Sequence, residues 1–164
     1  MKKYKIYLGA LLMVLFATVS SCDEVGDIDV GGVTVQDMTG EWYVETSIDG
    51  TVVLGYERIS TYNSAANIEE MWIDDQQHIW WFKAKAPVTL SSLSFGGNDL
   101  ESSYDGYDIT VTITNGVVSQ DVVGATSAGN TADTISFDIE FSDDPGTIYH
   151  IEGYRRTGFA EDEH

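Results

Sequence analysis

From Gly40 onward, apolar and polar positions alternate with a period of two, which predicts strands. Trp42, Val44, Thr46 and Ile48 interleave with Glu41, Tyr43, Glu45 and Ser47. Ile109, Val111 and Ile113 interleave with Asp108, Thr110, Thr112 and Thr114. Ile135, Phe137, Ile139 and Phe141 alternate with Thr134, Ser136, Asp138 and Glu140, the cleanest half-buried strand in the chain. Turn signals separate the runs. Asp49-Gly50 closes the first hairpin, Asp75-Gln76-Gln77 divides strands at 71–74 and 78–86, and Asp144-Pro145-Gly146 precedes the last strand. Asn115-Gly116 reads as a type I′ hairpin, which requires positive φ at both positions. Only 64–70 has room for a helical turn. The pattern predicts an all-β, antiparallel up-and-down barrel of about eight or nine strands, closed so that no edge is left open.

The first 36 residues follow a different pattern. Lys2, Lys3 and Lys5 precede an almost unbroken apolar run over 6–19, too short for a comfortable membrane span. This reads as a signal peptide over 1–21. Val19-Ser20-Ser21-Cys22 resembles a bacterial lipobox, in which the Cys22 thiol takes diacylglycerol before cleavage. Residues 22–36 are acidic, contain glycine and lack a period, as a tether would. The barrel domain is expected over 37–164. The implied address is the cell envelope, most simply the outer membrane, on its periplasmic or cell-surface face.

Composition narrows the partners. The 164 residues carry 8 Lys+Arg against 27 Asp+Glu, a formal charge of −19, which argues against nucleic acid as a ligand. Loss of 1–21 would remove three lysines and no acid. The single cysteine excludes an internal disulfide and a cysteine zinc cluster. At 43% apolar residues, the chain is too hydrophobic to be disordered.

Two resemblances follow from particular residues. Gly40-Glu41-Trp42 opens the first barrel strand and Arg155-Arg156 lies in the last. This resembles the calycins (lipocalins and relatives), where an arginine from the final strand covers a Gly-x-Trp at the closed end. Parity gives that role to Arg155, which shares a face with Tyr149 and Ile151, so Trp42 and Arg155 form the expected barrel plug through a cation–π contact. A second likeness covers nearly the whole mature chain. Thr61-Tyr62-Asn63-Ser64-Ala65-Ala66-Asn67 with Glu70-Met71-Trp72-Ile73-Asp74-Asp75-Gln76 is similar to one block of a Bacteroidetes lipoprotein family. Phe141-Ser142-Asp143-Asp144-Pro145-Gly146-Thr147 with Gly153-Tyr154-Arg155-Arg156-Thr157-Gly158-Phe159 is similar to another. That family is named for lipid-binding hydrolases and has a calycin-like β-barrel. The resemblance implies lipid binding and hydrolysis, without a catalytic motif to place on these residues.

The residues themselves point away from catalysis. No Gly-x-Ser-x-Gly is present, since Gly124-Ala125-Thr126-Ser127-Ala128-Gly129 has the wrong spacing. His150 has no motif that makes it a triad base, and it reads as a hydrogen-bonded strand residue; His164 reads as part of a frayed terminus. Asp74-Asp75 and Asp143-Asp144 are pairs of hard oxygens at turns, but no calcium loop surrounds them, and such pairs usually cap backbone N–H groups. No catalytic residue, metal site or cofactor is assigned.

Aromatic residues carry the functional reading. Trp80-Trp81-Phe82 on one strand would put Trp80 and Phe82 on the same face. The expected ligand-binding set is Tyr56, Arg58, Trp80, Phe82, Ile109, Ile139 and Phe141, lining a cavity for a lipid or other hydrophobic small molecule. Arg58 would meet an anionic headgroup if it points inward, although the acidity of the chain favours neutral or zwitterionic amphiphiles. The same rings could instead fill the barrel, leaving an interaction module for a protein or glycan partner. A lipid or ester hydrolase is the remaining alternative.

Overall fold

Alternation gives every strand one apolar face, and eight such strands bury those faces together by closing into a barrel. The computed structural model describes residues 32–164. Its strands are β1 (Gly40–Ile48), β2 (Thr51–Asn63), β3 (Glu70–Asp74), β4 (Lys83–Thr89), β5 (Ser94–Glu101), β6 (Thr110–Val122), β7 (Ala132–Phe141) and β8 (Tyr149–Arg155). They pair antiparallel in chain order, and β8 returns to β1, so Trp42 faces Ile59 on one side and Arg155 on the other. The all-β up-and-down barrel expected from the pattern is therefore the fold, with eight strands. The inward residues fill it: Trp42, Ile59, Met71, Ile73, Phe137 and Ile139 are completely buried.

The strand reading differs from the structure at three places. Asn115-Gly116 is not a hairpin turn but a bulge inside β6. Pairing with β7 steps from Thr114↔Asp138 to Val117↔Ser136, leaving one extra residue on β6. Asn115 has φ of 55°, and Gly116 allows the close approach, since a Cβ there would lie 2.4 Å from the Phe95 carbonyl oxygen. Residues 64–69 form no helix; a turn closes with Asn67 N–H donating to Ser64 O at 3.0 Å. The strand expected from 78 begins only at Lys83, for reasons given below.

The folded unit also starts earlier than 37. It runs from Val33, and Val35 and Met38 are completely buried. Thr34 is tied down through its N–H to Asn67 Oδ1 at 2.8 Å. The expected signal peptide, Cys22 and the first part of the expected tether lie outside the described residues. Among the described residues, no helix is long and apolar enough to cross a membrane.

Strand directions define two ends. One holds the start of β1 and the end of β8. The opposite end, or mouth, holds the β1–β2, β3–β4, β5–β6 and β7–β8 connections.

Candidate functional site

At the β1 start, the Arg155 guanidinium lies 4.8 Å from the centre of the Trp42 ring. It also pairs with Asp133 at 3.0 Å and donates to Asp37 O at 2.9 Å. Gly40 leaves room for its passage, because a Cβ there would sit 3.2 Å from Arg155 Nε. The indole N–H donates to Thr61 Oγ1 at 2.8 Å, and that hydroxyl donates to Met38 O at 2.6 Å. Every polar atom of this buried indole is thus satisfied.

The mouth is organised by Asp75, a completely buried carboxylate in the β3–β4 connection. It accepts five backbone N–H bonds, from Gln77, Ile79, Trp80, Trp81 and Phe82, at 2.7–3.2 Å. Charge-assisted bonds of this kind outweigh the β propensity of the aromatic run. Residues 78–82 therefore wrap around the carboxylate, which corrects the expectation that Trp80-Trp81-Phe82 share a strand. Gln76, Gln77 and Trp81 all adopt positive φ, Trp81 at 59°, a costly region for a bulky side chain.

This wrapping lays Trp80 over the barrel end. Its ring stacks on Phe141 at 4.7 Å and 12°, and lies 5.2 Å from Tyr149. Its indole N–H donates to Asp143 Oδ1 at 3.2 Å, while Tyr107 O–H donates to Asp143 Oδ2. Tyr149 O–H donates to Asp144 at 2.7 Å, and burial together with that carboxylate pushes its hydroxyl up to about 12. The Asp143-Asp144 pair therefore accepts from ring donors, joining three of the four mouth connections, and its side chains do not cap the turn. Trp80 and its neighbours Gln77, Trp81, Tyr104, Asp105 and Tyr107 enclose an open cleft of about 480 Å³. Trp81 is 56% exposed there.

Of the expected ligand-binding set, only Trp80 borders this cleft. Phe82, Ile109, Ile139 and Phe141 belong to the buried core, and Ile109 also borders a separate surface pocket with Ser102 and Ser142; Phe82 meets Phe141 edge-on at 5.6 Å. Tyr56 and Arg58 lie on the outer wall. Register pairs Arg58 with Tyr43, outside the barrel, where it reaches Gln76 at 3.3 Å and Glu41 at 3.9 Å. The parity count from Leu54 fails because three β2 steps, Leu54 to Glu57, match two on β1, Val44 to Thr46. Tyr56 is covered by His164, whose ring stacks on it at 4.0 Å, so that histidine is packed and not frayed. Nearby, Tyr43 donates to Glu163 at 2.5 Å.

The sequence reading passed over Trp81, Tyr104 and Tyr107. The signal was present in Tyr104-Asp105-Gly106-Tyr107, a turn dipeptide flanked by aromatics and facing the Trp pair across the mouth.

A triad-like set of Asp138, His150 and Ser47 stands in register on three adjacent strands of the outer wall. His150 Nδ1 lies 2.7 Å from Asp138 and Nε2 lies 3.4 Å from Glu152, so both ring nitrogens face carboxylates and neither faces Ser47. The Asp138 bond raises His150 above its ordinary value, which favours the cation over the free base that serine activation needs.

No curated protein matches this chain. A family model does, over residues 27–160, most of the sequence and all eight strands. An eight-stranded closed barrel carrying an aromatic cleft at its mouth is thus the form taken here by the family described as "lipid-binding putative hydrolase", to which this chain belongs.

Proposed function

We propose that this protein is a lipid-anchored envelope protein, held through Cys22 at the outer membrane of a Bacteroidetes cell, whose calycin-like barrel binds an amphiphile at its mouth. The observation that carries the reading is the cleft between Trp80, Trp81, Tyr104 and Tyr107, on a barrel whose family is described as lipid-binding. Half-exposed indoles flanked by polar groups suit a ligand with an apolar body and a wet end. Val52, Val53 and Ile148, at the same end of the barrel, are each at least 50% exposed. Because the interior is filled, binding uses the rim and not a central cavity.

The anchor is supported by Lys2, Lys3, Lys5, the apolar run and Val19-Ser20-Ser21-Cys22. Hydrolysis is not part of the proposal, since His150 is committed to two carboxylates.

Native mass spectrometry of the full chain, purified from its own envelope, tests the binding reading. A co-purifying amphiphile, lost in Trp81→Gly, is the expected result. A wild-type protein free of any amphiphile, with no saturable tryptophan response to added amphiphiles, contradicts it. Cys22→Ser tests the anchor separately and should leave the chain unacylated.

A further inference from the structure

The mouth cleft has an unusual combination of chemistry: four large aromatic residues, a carboxylate, and no lysine or arginine in its lining. Two of its four polar ring groups are already engaged. The Trp80 indole N–H and the Tyr107 hydroxyl both end on Asp143. What the cleft chiefly offers a ligand is ring surface and negative field. A sugar would ask for several directional donors, and two of the four ring donors are already spent on Asp143. A quaternary ammonium has the opposite needs, because it carries a positive charge but no N–H to donate, and aromatic faces attract it directly.

The surrounding charges agree in sign. Asp105 lines the cleft, and Asp143 accepts hydrogen bonds from two of its rings. Hydrogen bonds to a carboxylate polarise the donor, so Asp143 enriches the Trp80 and Tyr107 rings in electron density. Tyr104 is held neutral above its ordinary value, first by burial and then by Asp74 and Asp75. Lys83, at the same end, is paired with Asp74 at 3.7 Å and lies over Tyr62 and Trp72, so it does not fill the cleft as an internal cation. Phe141 covers one face of the Trp80 indole, and the residue also borders the cleft.

We propose that the Trp80–Trp81–Tyr104–Tyr107 cleft is a cation–π site for a quaternary ammonium group of the choline type, with Asp143 and Asp105 supplying the field. This rests on the amphiphile-binding reading above and names the headgroup it selects. The group can be the head of a lipid or a free small cation, and the two are separated by whether an attached chain adds affinity.

The test is a tryptophan-emission titration of the full chain with four probes: choline, its uncharged tert-butyl isostere, dodecylphosphocholine and dodecyl maltoside. Choline should bind roughly tenfold or more tightly than the isostere, the scale of a desolvated cation–π contact. Dodecylphosphocholine should exceed both dodecyl maltoside and choline if the source is a lipid, and should equal choline if it is a free cation. Asp143→Asn, which keeps the shape and an acceptor oxygen but removes the charge, should weaken choline about fivefold and leave dodecyl maltoside unchanged. Equal affinity for choline and its isostere overturns the cation site, as does tighter binding of maltoside than of phosphocholine; both outcomes retain an apolar cleft. Absence of saturation with all four overturns the cation site and the amphiphile reading together.

Discussion

Each end of the barrel is finished by a tryptophan, and the two are handled in opposite ways. Trp42 is fully enclosed, with its N–H on the buried Thr61 hydroxyl and its face under Arg155. Trp80 stacks on Phe141 but gives its N–H to Asp143 at a surface that stays open. Beside it, Trp81 is held at positive φ with more than half its area in water. A residue that only packed would not be kept in that conformation, which costs about 1–2 kcal/mol. The first end spends its aromatic on stability; the second accepts strain to keep aromatics available.

Breaking the closed end should have the largest effect. Trp42→Ala is expected to lose about 3–5 kcal/mol, as a large buried ring leaves a cavity. Urea unfolding measures it, and a change below about 1 kcal/mol would mean that the indole is not the packing centre of that end. Asp75→Ala comes next, at about 3 kcal/mol, because five N–H bonds lose a charged acceptor while part of the loop regains water. Unlike the first substitution, it should also abolish the ligand response, since Trp80 and Trp81 are placed by those bonds. A stable Asp75→Ala protein that binds normally would separate the loop from the site.

These two positions also show what the sequence could tell. Inward parity exposed Trp42, Arg155 and the β7 run from Ile135 to Phe141, because a half-buried strand must alternate and nothing interrupts the count. The mouth was hidden by the same rule. Three consecutive aromatics at 80–82 have strong β propensity, and only the buried carboxylate of Asp75 diverts them, which requires knowing where the side chain points. Tyr56 and Arg58 were misplaced by one unmatched residue in β2, an irregularity that leaves no mark in composition. Asn115-Gly116 carries the chemistry of positive φ, but a bulge and a hairpin turn use that chemistry alike, and the pairing of both flanks decides.

Arg155 and Arg156 sharpen the closed-end account at a smaller scale. Arg155→Ala removes the cation over Trp42 and the Asp133 pair, and about 1–2 kcal/mol should be lost. Arg156 holds Glu41 and Glu163 on the outer wall, so Arg156→Ala should move the urea midpoint less. Equal midpoints would remove the case for Arg155 as the plug.

The smallest effect belongs to the wall between the ends. His150 is raised from its ordinary 6.5, chiefly by the Asp138 hydrogen bond. Asp138 is lowered from 3.8, by Asn115 and then by His150. The histidine's contribution is complete below about pH 6 and fades as pH rises through its folded value; the aspartate's is complete above about pH 5 and fades as pH falls through its own. His150→Ala should therefore cost more at pH 5.5 than at pH 8.5. The reverse order would contradict the pairing.

The central claim is that the ligand site is the strained mouth and not the barrel interior, and Trp81→Gly tests it most directly. Glycine relieves the positive φ and touches nothing in the core, so the urea midpoint should hold or rise. In a titration of the full chain with dodecylphosphocholine, affinity should fall at least roughly tenfold. Unchanged affinity in a protein of unchanged stability would place binding elsewhere on the molecule.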